Sequence, residues 1–319
     1  MKTILSTFII WMAAVVAAQA QPDDVQSLKS LYDYDSKQPL DCNETLLYER
    51  DGIKVFDISY ASPKDGRVTA YLVVPAGKGP FAGVVFGHWG LGTRTEFLPE
   101  AMLYAEAGAA SILIDYPWVR PAPWRKKLYQ FSHAEEDHET YVQAVVDLRR
   151  GIDVLSDHAG VDPSRLAYVG HSFGAQWGAI LSVVDNRIKA AVLMSGVPDL
   201  ASVYLENDDP DIVELRASIP KEEIESYLKV NACTDAIHYV PHAAPTELLF
   251  QFAKRERYFN EAAMKRYADA ASEPKLVKWY ETGHELNDVQ ALLDRSEWLR
   301  DKIGMGSVAR ILERRLKER

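Results

Sequence analysis

Short apolar runs recur along the chain and alternate with longer stretches whose apolar residues return at helical spacing. Runs at 55–60, 67–74 and the almost wholly apolar 81–86 come first. The turn Pro63-Lys64-Asp65-Gly66 separates the first two. Helical spacing begins at Phe97 and gives way to a strand at 110–114. A long periodic helix follows over about 139–155, then a strand at 165–169, a helix at 172–184 and a strand at 188–194. Two further strands, 247–252 and 276–280, precede a helical terminus at 288–316. Strands alternating with amphipathic helices predict a parallel sheet joined by crossover helices. The first strands lack intervening helices and should form an antiparallel edge of the same sheet. Residues 21–50 are polar and mixed, and read as a surface lead-in. No Pro-, Ser- or Gly-rich linker divides the chain, so one domain over 21–319 is expected. Within it, 197–244 is polar and partly helical and reads as a small cap-like insertion over the carboxyl edge of the sheet.

Composition narrows the class of partner more than the fold. The chain has 319 residues, 47% of them hydrophobic, enough to bury a substantial core. With 36 Lys and Arg against 46 Asp and Glu the formal charge is −10, which disfavours general nucleic-acid binding. Lys2, an apolar run and Ala18-Gln19-Ala20 read as a secretory signal peptide over 1–20, cleaved at an Ala-x-Ala site. An uncleaved anchor is the alternative, since the run is barely long enough to span a bilayer. No Cys follows the site to accept a lipid, and the mature chain is expected to be secreted or periplasmic, without stable membrane insertion. Cys42 and Cys233 could pair in that oxidising setting or remain thiols; sequence does not decide between the two.

The segment Gly170-His171-Ser172-Phe173-Gly174 follows an apolar strand and opens a helix. A strand that turns so sharply into a helix needs glycine at both flanks and lifts the central Ser clear of the sheet. Ser172 is therefore the candidate nucleophile, and the following amide, Phe173, can donate to a developing oxyanion. Its base should come later in the chain, after an acid. His284 lies just past the strand 276–280, beside Gly283, and is placed to reach back over the sheet edge. For the acid, Glu256 follows the preceding strand; Asp199 is the rival and Asp235, in the insertion, an outsider. Lys254, Arg255 and Arg257 flank Glu256 and would favour its ionised form. A second oxyanion donor should come from the loop after 81–86, where Gly87, Gly90 and Gly92 bracket Trp89, and the Trp89 amide is the candidate.

Those segments (GHWGLGTR from Gly87, VGHSFGA around Ser172, LLFQFAKRERYF around Glu256 and ETGHELN around His284) resemble the dienelactone-hydrolase and acetyl-xylan-esterase-like branch of the α/β-hydrolase superfamily. The resemblance covers about Gly66 to Trp298. It implies an α/β fold with a mostly parallel, eight-stranded sheet flanked by helices, and a triad of Ser172, Glu256 and His284. Family members often carry Asp at the acid position, where this chain has Glu256. The expected activity is two-step cleavage of small carboxylic esters, needing no cofactor and no metal. A peptidase of the same fold and an inactive hydrolase-like binding protein are the alternatives.

Two other features invite chemistry. His133, His138 and the nearby carboxylates read better as a Ser132 cap with acidic residues in the first helical turn than as a metal site. Tyr116, Trp118 and Trp124 follow a strand end and fit either a pocket wall or core packing.

Overall fold

A computed structural model describes residues 24–318. The expected signal peptide, residues 1–20, lies outside them. Nine strands run in chain order as β1 (Asn43–Arg50), β2 (Ile53–Ala61), β3 (Arg67–Val74), β4 (Phe81–Gly87), β5 (Ala109–Ile114), β6 (Val161–His171), β7 (Ile188–Met194), β8 (Glu247–Arg255) and β9 (Lys275–Gly283). Helices α1 (Val25–Ser30), α2 (Leu98–Glu106), α3 (Ala134–Asp157) and α4 (Phe173–Val184) belong to the first part of the chain. They are followed by α5 (Leu200–Tyr204), α6 (Pro210–Ser218), α7 (Lys221–Asn231), α8 (Glu261–Ala270), α9 (Val289–Ile303) and α10 (Val308–Lys317).

All nine strands form one sheet in the order β1-β2-β3-β5-β4-β6-β7-β8-β9. β1, β2 and β3 pair antiparallel, β3 meets β5 antiparallel, and every later pair is parallel. β4 and β5 are buried along their whole length, as strands covered on both faces must be, which explains their largely apolar runs. One face carries α3, α4 and α8 over Val85, Ile112, Tyr168 and Phe250. The other carries α2, α9 and α10 over Val84, Phe86, Val169 and Val192. Gly304, in the left-handed region at φ 65°, ends α9 and separates it from α10, so the helical terminus is two helices rather than one.

The sheet has one strand more than the expected eight. The lead-in contains α1 and β1, and β1 pairs with β2 at the sheet's edge with all eight of its residues exposed. A strand with both faces in water has no alternation of buried and exposed positions, so Asn43–Arg50 carries no strand signature. The insertion holds α5, α6, α7 and three short 3-10 turns. It leans on α3 through the 2.7 Å hydrogen bond between the Tyr141 and Tyr227 hydroxyls. Among the described residues no helix is long and apolar enough to cross a membrane, and Cys42 and Cys233 are not bridged.

The β5 end and α3 are joined by a fully buried ion pair. Arg120 Nη2 donates to Asp147 Oδ2 at 2.6 Å, and both side chains are wholly buried. Ser62 Oγ donates to the other Asp147 oxygen, and Arg120 Nε to the Asp115 carbonyl. Burial pushes the Asp147 carboxyl up and Arg120 opposes that shift. Removing one partner strands the other charge, a loss of about 3–5 kcal/mol. Asp147→Ala should lower stability by about that amount in urea unfolding, and a loss below about 1 kcal/mol would mean that Arg120 finds water or another acceptor.

Candidate active site

Parallel strands deliver their carboxyl ends to one edge of the sheet, and the loops after β4, β6, β8 and β9 meet there. β6 passes into α4 through Ser172, which sits at φ 55°, ψ −115°, a conformation that costs backbone strain in a non-glycine residue. The turn is held by Ser172 N–H donating to the Met194 carbonyl at 2.9 Å and by Gln176 N–H returning to the Ser172 carbonyl at 3.0 Å. The two flanking glycines leave no room for a side chain. A Cβ on Gly170 would stand 2.4 Å from the Gly174 backbone, and one on Gly174 would stand 2.0 Å from the Gly87 carbonyl oxygen. Phe173 is the first residue of α4, where an N–H has no partner within the helix.

His284 lies in the turn after β9, closed by Leu286 N–H to the Gly283 carbonyl. Its Nδ1 lies 2.8 Å from both Glu256 carboxylate oxygens. A carboxylate accepts, so Nδ1 carries the hydrogen and Nε2 keeps its lone pair. The rings of Tyr258 and Phe259 stand edge-on to the imidazole, at 4.5 and 6.1 Å between centroids. The Glu256 side chain is 1% exposed. It is held by the backbone N–H groups of Arg257 (2.9 Å) and Tyr258 (3.0 Å) as well as by His284. Two of the three cations beside it in sequence serve elsewhere: Lys254 pairs with Glu281, and Arg257 with Asp209 and Asp211. Local amides, not flanking cations, are therefore what position this carboxylate.

The rival acids are occupied by structure. Asp199 caps α5, accepting the Ser202 N–H at 2.6 Å and its hydroxyl at 2.9 Å. Asp235 is buried, accepts the Leu200 N–H at 3.0 Å, and burial beside Asp199 holds its carboxyl well above the usual range.

Trp89 departs from expectation. Its amide donates to Glu96 Oε2 at 2.8 Å, so in this arrangement a carboxyl oxygen already occupies it. The loop that carries it is held at both ends. His88 is buried and accepts the Tyr116 N–H at Nε2 (3.2 Å), so its Nδ1 carries the hydrogen and donates to the Trp89 carbonyl at 2.6 Å. Arg94 ties the far end to Asp57 and Asp115. Glu96 also meets His171 Nδ1 at 2.7 Å, and His171 Nε2 meets the His284 carbonyl at 3.0 Å. Sequence reasoning passed over both residues: His171 occupies the variable position of the elbow, and Glu96 has no motif spacing.

Of the three aromatics after β5, Tyr116 and Trp118 are buried, and Trp118 stands edge-on to Phe173 with Nε1 donating to the Gly90 carbonyl at 2.5 Å. Trp124 packs over Gly66 instead. At the start of α3 the expected Ser132 cap is displaced. His133 is the boundary residue and makes no side-chain cap bond, while Asp137 turns back to the amides of Tyr129 and Gln130.

This sheet order, with the elbow after β6, is the α/β-hydrolase fold, and solved structures of that fold superpose on most of the chain. An acetyl xylan esterase from a Paenibacillus species matches with a TM-score of 0.73 and 19% identity, covering 87% of this chain and 92% of that one. Acetyl xylan esterase 1 from a Thermoanaerobacterium species gives 0.70 and 14%, covering 87% and 93%. Among curated proteins the chain is similar to 2,6-dihydropseudooxynicotine hydrolase of Paenarthrobacter nicotinovorans, 23% identical over 57% of this chain and 44% of that protein. It is also 24% identical to acyl-coenzyme A thioesterase 3 of Mus musculus, over 70% of this chain and 52% of that protein. The chain thus spans about half the length of the curated relatives it matches. No family model matches.

Burial lowers the His88 imidazole to about 4, from 6.5. The folded state therefore favours neutral His88. Its contribution is present above pH 6.5 and is lost as pH falls from there towards 4. Chemical unfolding of His88→Gln across that interval should show a shallower acid loss than wild type, by up to about 1.4 kcal/mol per pH unit. Equal slopes would place the titration elsewhere.

Proposed function

We propose that the chain is a serine hydrolase that cleaves small carboxylic esters through an acyl-enzyme. The observation that carries this reading is the strained elbow at Ser172 on the same sheet edge as a buried, hydrogen-bonded His284–Glu256 pair. His284 Nε2 takes the proton from Ser172 Oγ as that oxygen attacks the ester carbonyl. Glu256 holds the imidazole in the tautomer that leaves Nε2 basic, and stabilises the imidazolium as it forms. The Phe173 amide, at the positive end of α4, donates to the tetrahedral oxyanion, an interaction worth about 3 kcal/mol in comparable sites. The Trp89 amide serves an oxyanion only by giving up its bond to Glu96. His284 then protonates the leaving alkoxide, and water, activated by the same base, releases the acid and restores Ser172. These steps call on side chains and amides alone and need no cofactor. Likeness to two acetyl xylan esterases supports ester substrates, and the expected export is part of the same proposal.

Fluorophosphonate labelling and p-nitrophenyl acetate hydrolysis test the assignment together. Ser172→Ala should abolish both with the fold intact. Glu256→Gln should lower kcat by about 10²–10⁴-fold, because the amide no longer selects the productive tautomer. Asp199→Asn should leave kcat within about threefold of wild type, since its bonds end within α5. Retained labelling in Ser172→Ala, or a larger loss in Asp199→Asn than in Glu256→Gln, would reject the triad.

A further inference from the structure

Four consecutive groups, with Glu96 and His171 at their centre, link the loop after β4, the end of β6 and the loop of His284. The Trp89 N–H donates to Glu96 Oε2 (2.8 Å), Glu96 Oε1 meets His171 Nδ1 (2.7 Å), and His171 Nε2 meets the His284 carbonyl (3.0 Å). A carbonyl oxygen only accepts, so His171 Nε2 carries a hydrogen and donates it. The remaining hydrogen lies between Nδ1 and Oε1 and is shared by an ionisable pair, the short, strong type of hydrogen bond. The pair is mostly shielded, with His171 5% and Glu96 20% exposed, so water competes weakly for these contacts.

Both ends of the thread are main-chain atoms. One is the amide of the loop after β4; the other is the carbonyl of the residue that carries the base. His171 itself is the last residue of β6 and immediately precedes Ser172. The loop after β4 is shaped around the carboxylate: Glu96 N–H donates to the Thr93 carbonyl, and a Cβ on Gly92 would approach Glu96 Oε2 to 3.1 Å. The His171 and His284 rings lie 5.1 Å apart, so the strut runs beside the imidazole whose loop it ties down. Nothing in the triad uses Glu96, and its distance of 75 residues from His171 shows that the contact is tertiary rather than a local cap.

We propose that Glu96 is a positioning residue: with His171 it forms a hydrogen-bonded strut that holds the His284 loop against the nucleophile elbow. The inference rests on the esterase reading and adds a group to its machinery. A base loop released from the elbow lets the imidazole drift from Ser172, and displacement by about 1 Å costs about 100-fold in rate. The strut depends on hydrogen bonds rather than on net charge. Glutamine can accept the Trp89 N–H with its oxygen and donate its NH₂ to His171 Nδ1, while His171 Nε2 still donates to His284.

The test compares Glu96→Ala, Glu96→Gln and His171→Ala with wild type in p-nitrophenyl acetate hydrolysis, with circular dichroism to verify folding. Glu96→Ala should lose about 10- to 100-fold in kcat with KM changed less than about threefold. Glu96→Gln should recover at least about tenfold of that loss, and Glu96→Ala with His171→Ala should lose no more than the worse single variant. Hydrogen exchange of the Trp89 amide should be slow in wild type and Glu96→Gln and faster in Glu96→Ala. A Glu96→Ala kcat equal to wild type overturns the strut. A higher one shows instead that Glu96 merely blocks the Trp89 amide from an oxyanion. A Glu96→Gln variant as slow as Glu96→Ala also overturns it, because charge would then be what matters. Folded wild type that turns over no ester overturns the hydrolase reading itself, whereas the preceding outcomes leave that reading standing.

Discussion

The close approach of α4 to the ends of β4 and β6 sets the geometry of the whole sheet edge. Gly174 lies so near the Gly87 carbonyl that even a methyl group would overlap it, and Gly170 is equally confined by the Gly174 backbone. With those contacts made, the chain leaving β6 has no course except the sharp turn that puts Ser172 at positive φ. Strain of about 1–3 kcal/mol at such a residue persists only where its surroundings over-determine it. Here the Met194 carbonyl holds the Ser172 amide, and Tyr168 Oη donates to the Gly174 carbonyl at 2.7 Å from beneath. The loop after β4 then lies beside the α4 N-terminus because Gly87 is the point of contact for both.

Polar groups at this edge are placed by main-chain partners more than by opposite charges. Glu256 is fixed by two amides and one imidazole, and His88 sits between an amide and a carbonyl. Main-chain donors and acceptors do not move with side-chain rotamers and are barely screened when buried, so they set orientation more firmly than exposed cations can. The ties from Arg94 to Asp57 and Asp115 act at the far end of the loop after β4.

That division explains which parts were legible in sequence. β4, β5 and β7 announce themselves because strands covered on both faces are dominated by apolar residues, with Ser111 and the exposed Lys189 the interruptions. Ser172 and its glycines are visible because the steric demand is local, within five residues. His284 and Glu256 follow from the order of strands, since each lies just past a recognisable one. β1 is hidden because all its residues face water and no periodicity marks them. α8 escaped because its short amphipathic stretch follows directly on the acid loop. Glu96 is invisible for a different reason: its partners, Trp89 N–H and His171, are joined to it by the fold, and no spacing rule links a carboxylate to a ring 75 residues away. The bond that occupies the Trp89 amide was hidden on the same account, because its acceptor has no motif spacing. The cations around Glu256 were a poor guide to what holds it, because Lys254 and Arg257 pair with Glu281 and with Asp209 and Asp211 instead.

The insertion enters this scheme through Arg257. Asn207 Nδ2 donates to the Arg257 carbonyl at 2.9 Å, and the Arg257 guanidinium reaches Asp209 and Asp211 at the start of α6. The guanidinium pairs are about half exposed on the arginine side, so as ion pairs they contribute little to stability. The Asn207 bond is different, because Asn207 is buried and grips the backbone of the residue whose N–H holds Glu256. A shift of the segment between α5 and α6 would therefore tilt the peptide that orients the acid, and through it the imidazole. Packing of α7 on α3 through Tyr141 and Tyr227 anchors the other side of the same insertion. Held at both places, the insertion is joined by hydrogen bonds to the loop that carries Glu256 and so to the setting of His284.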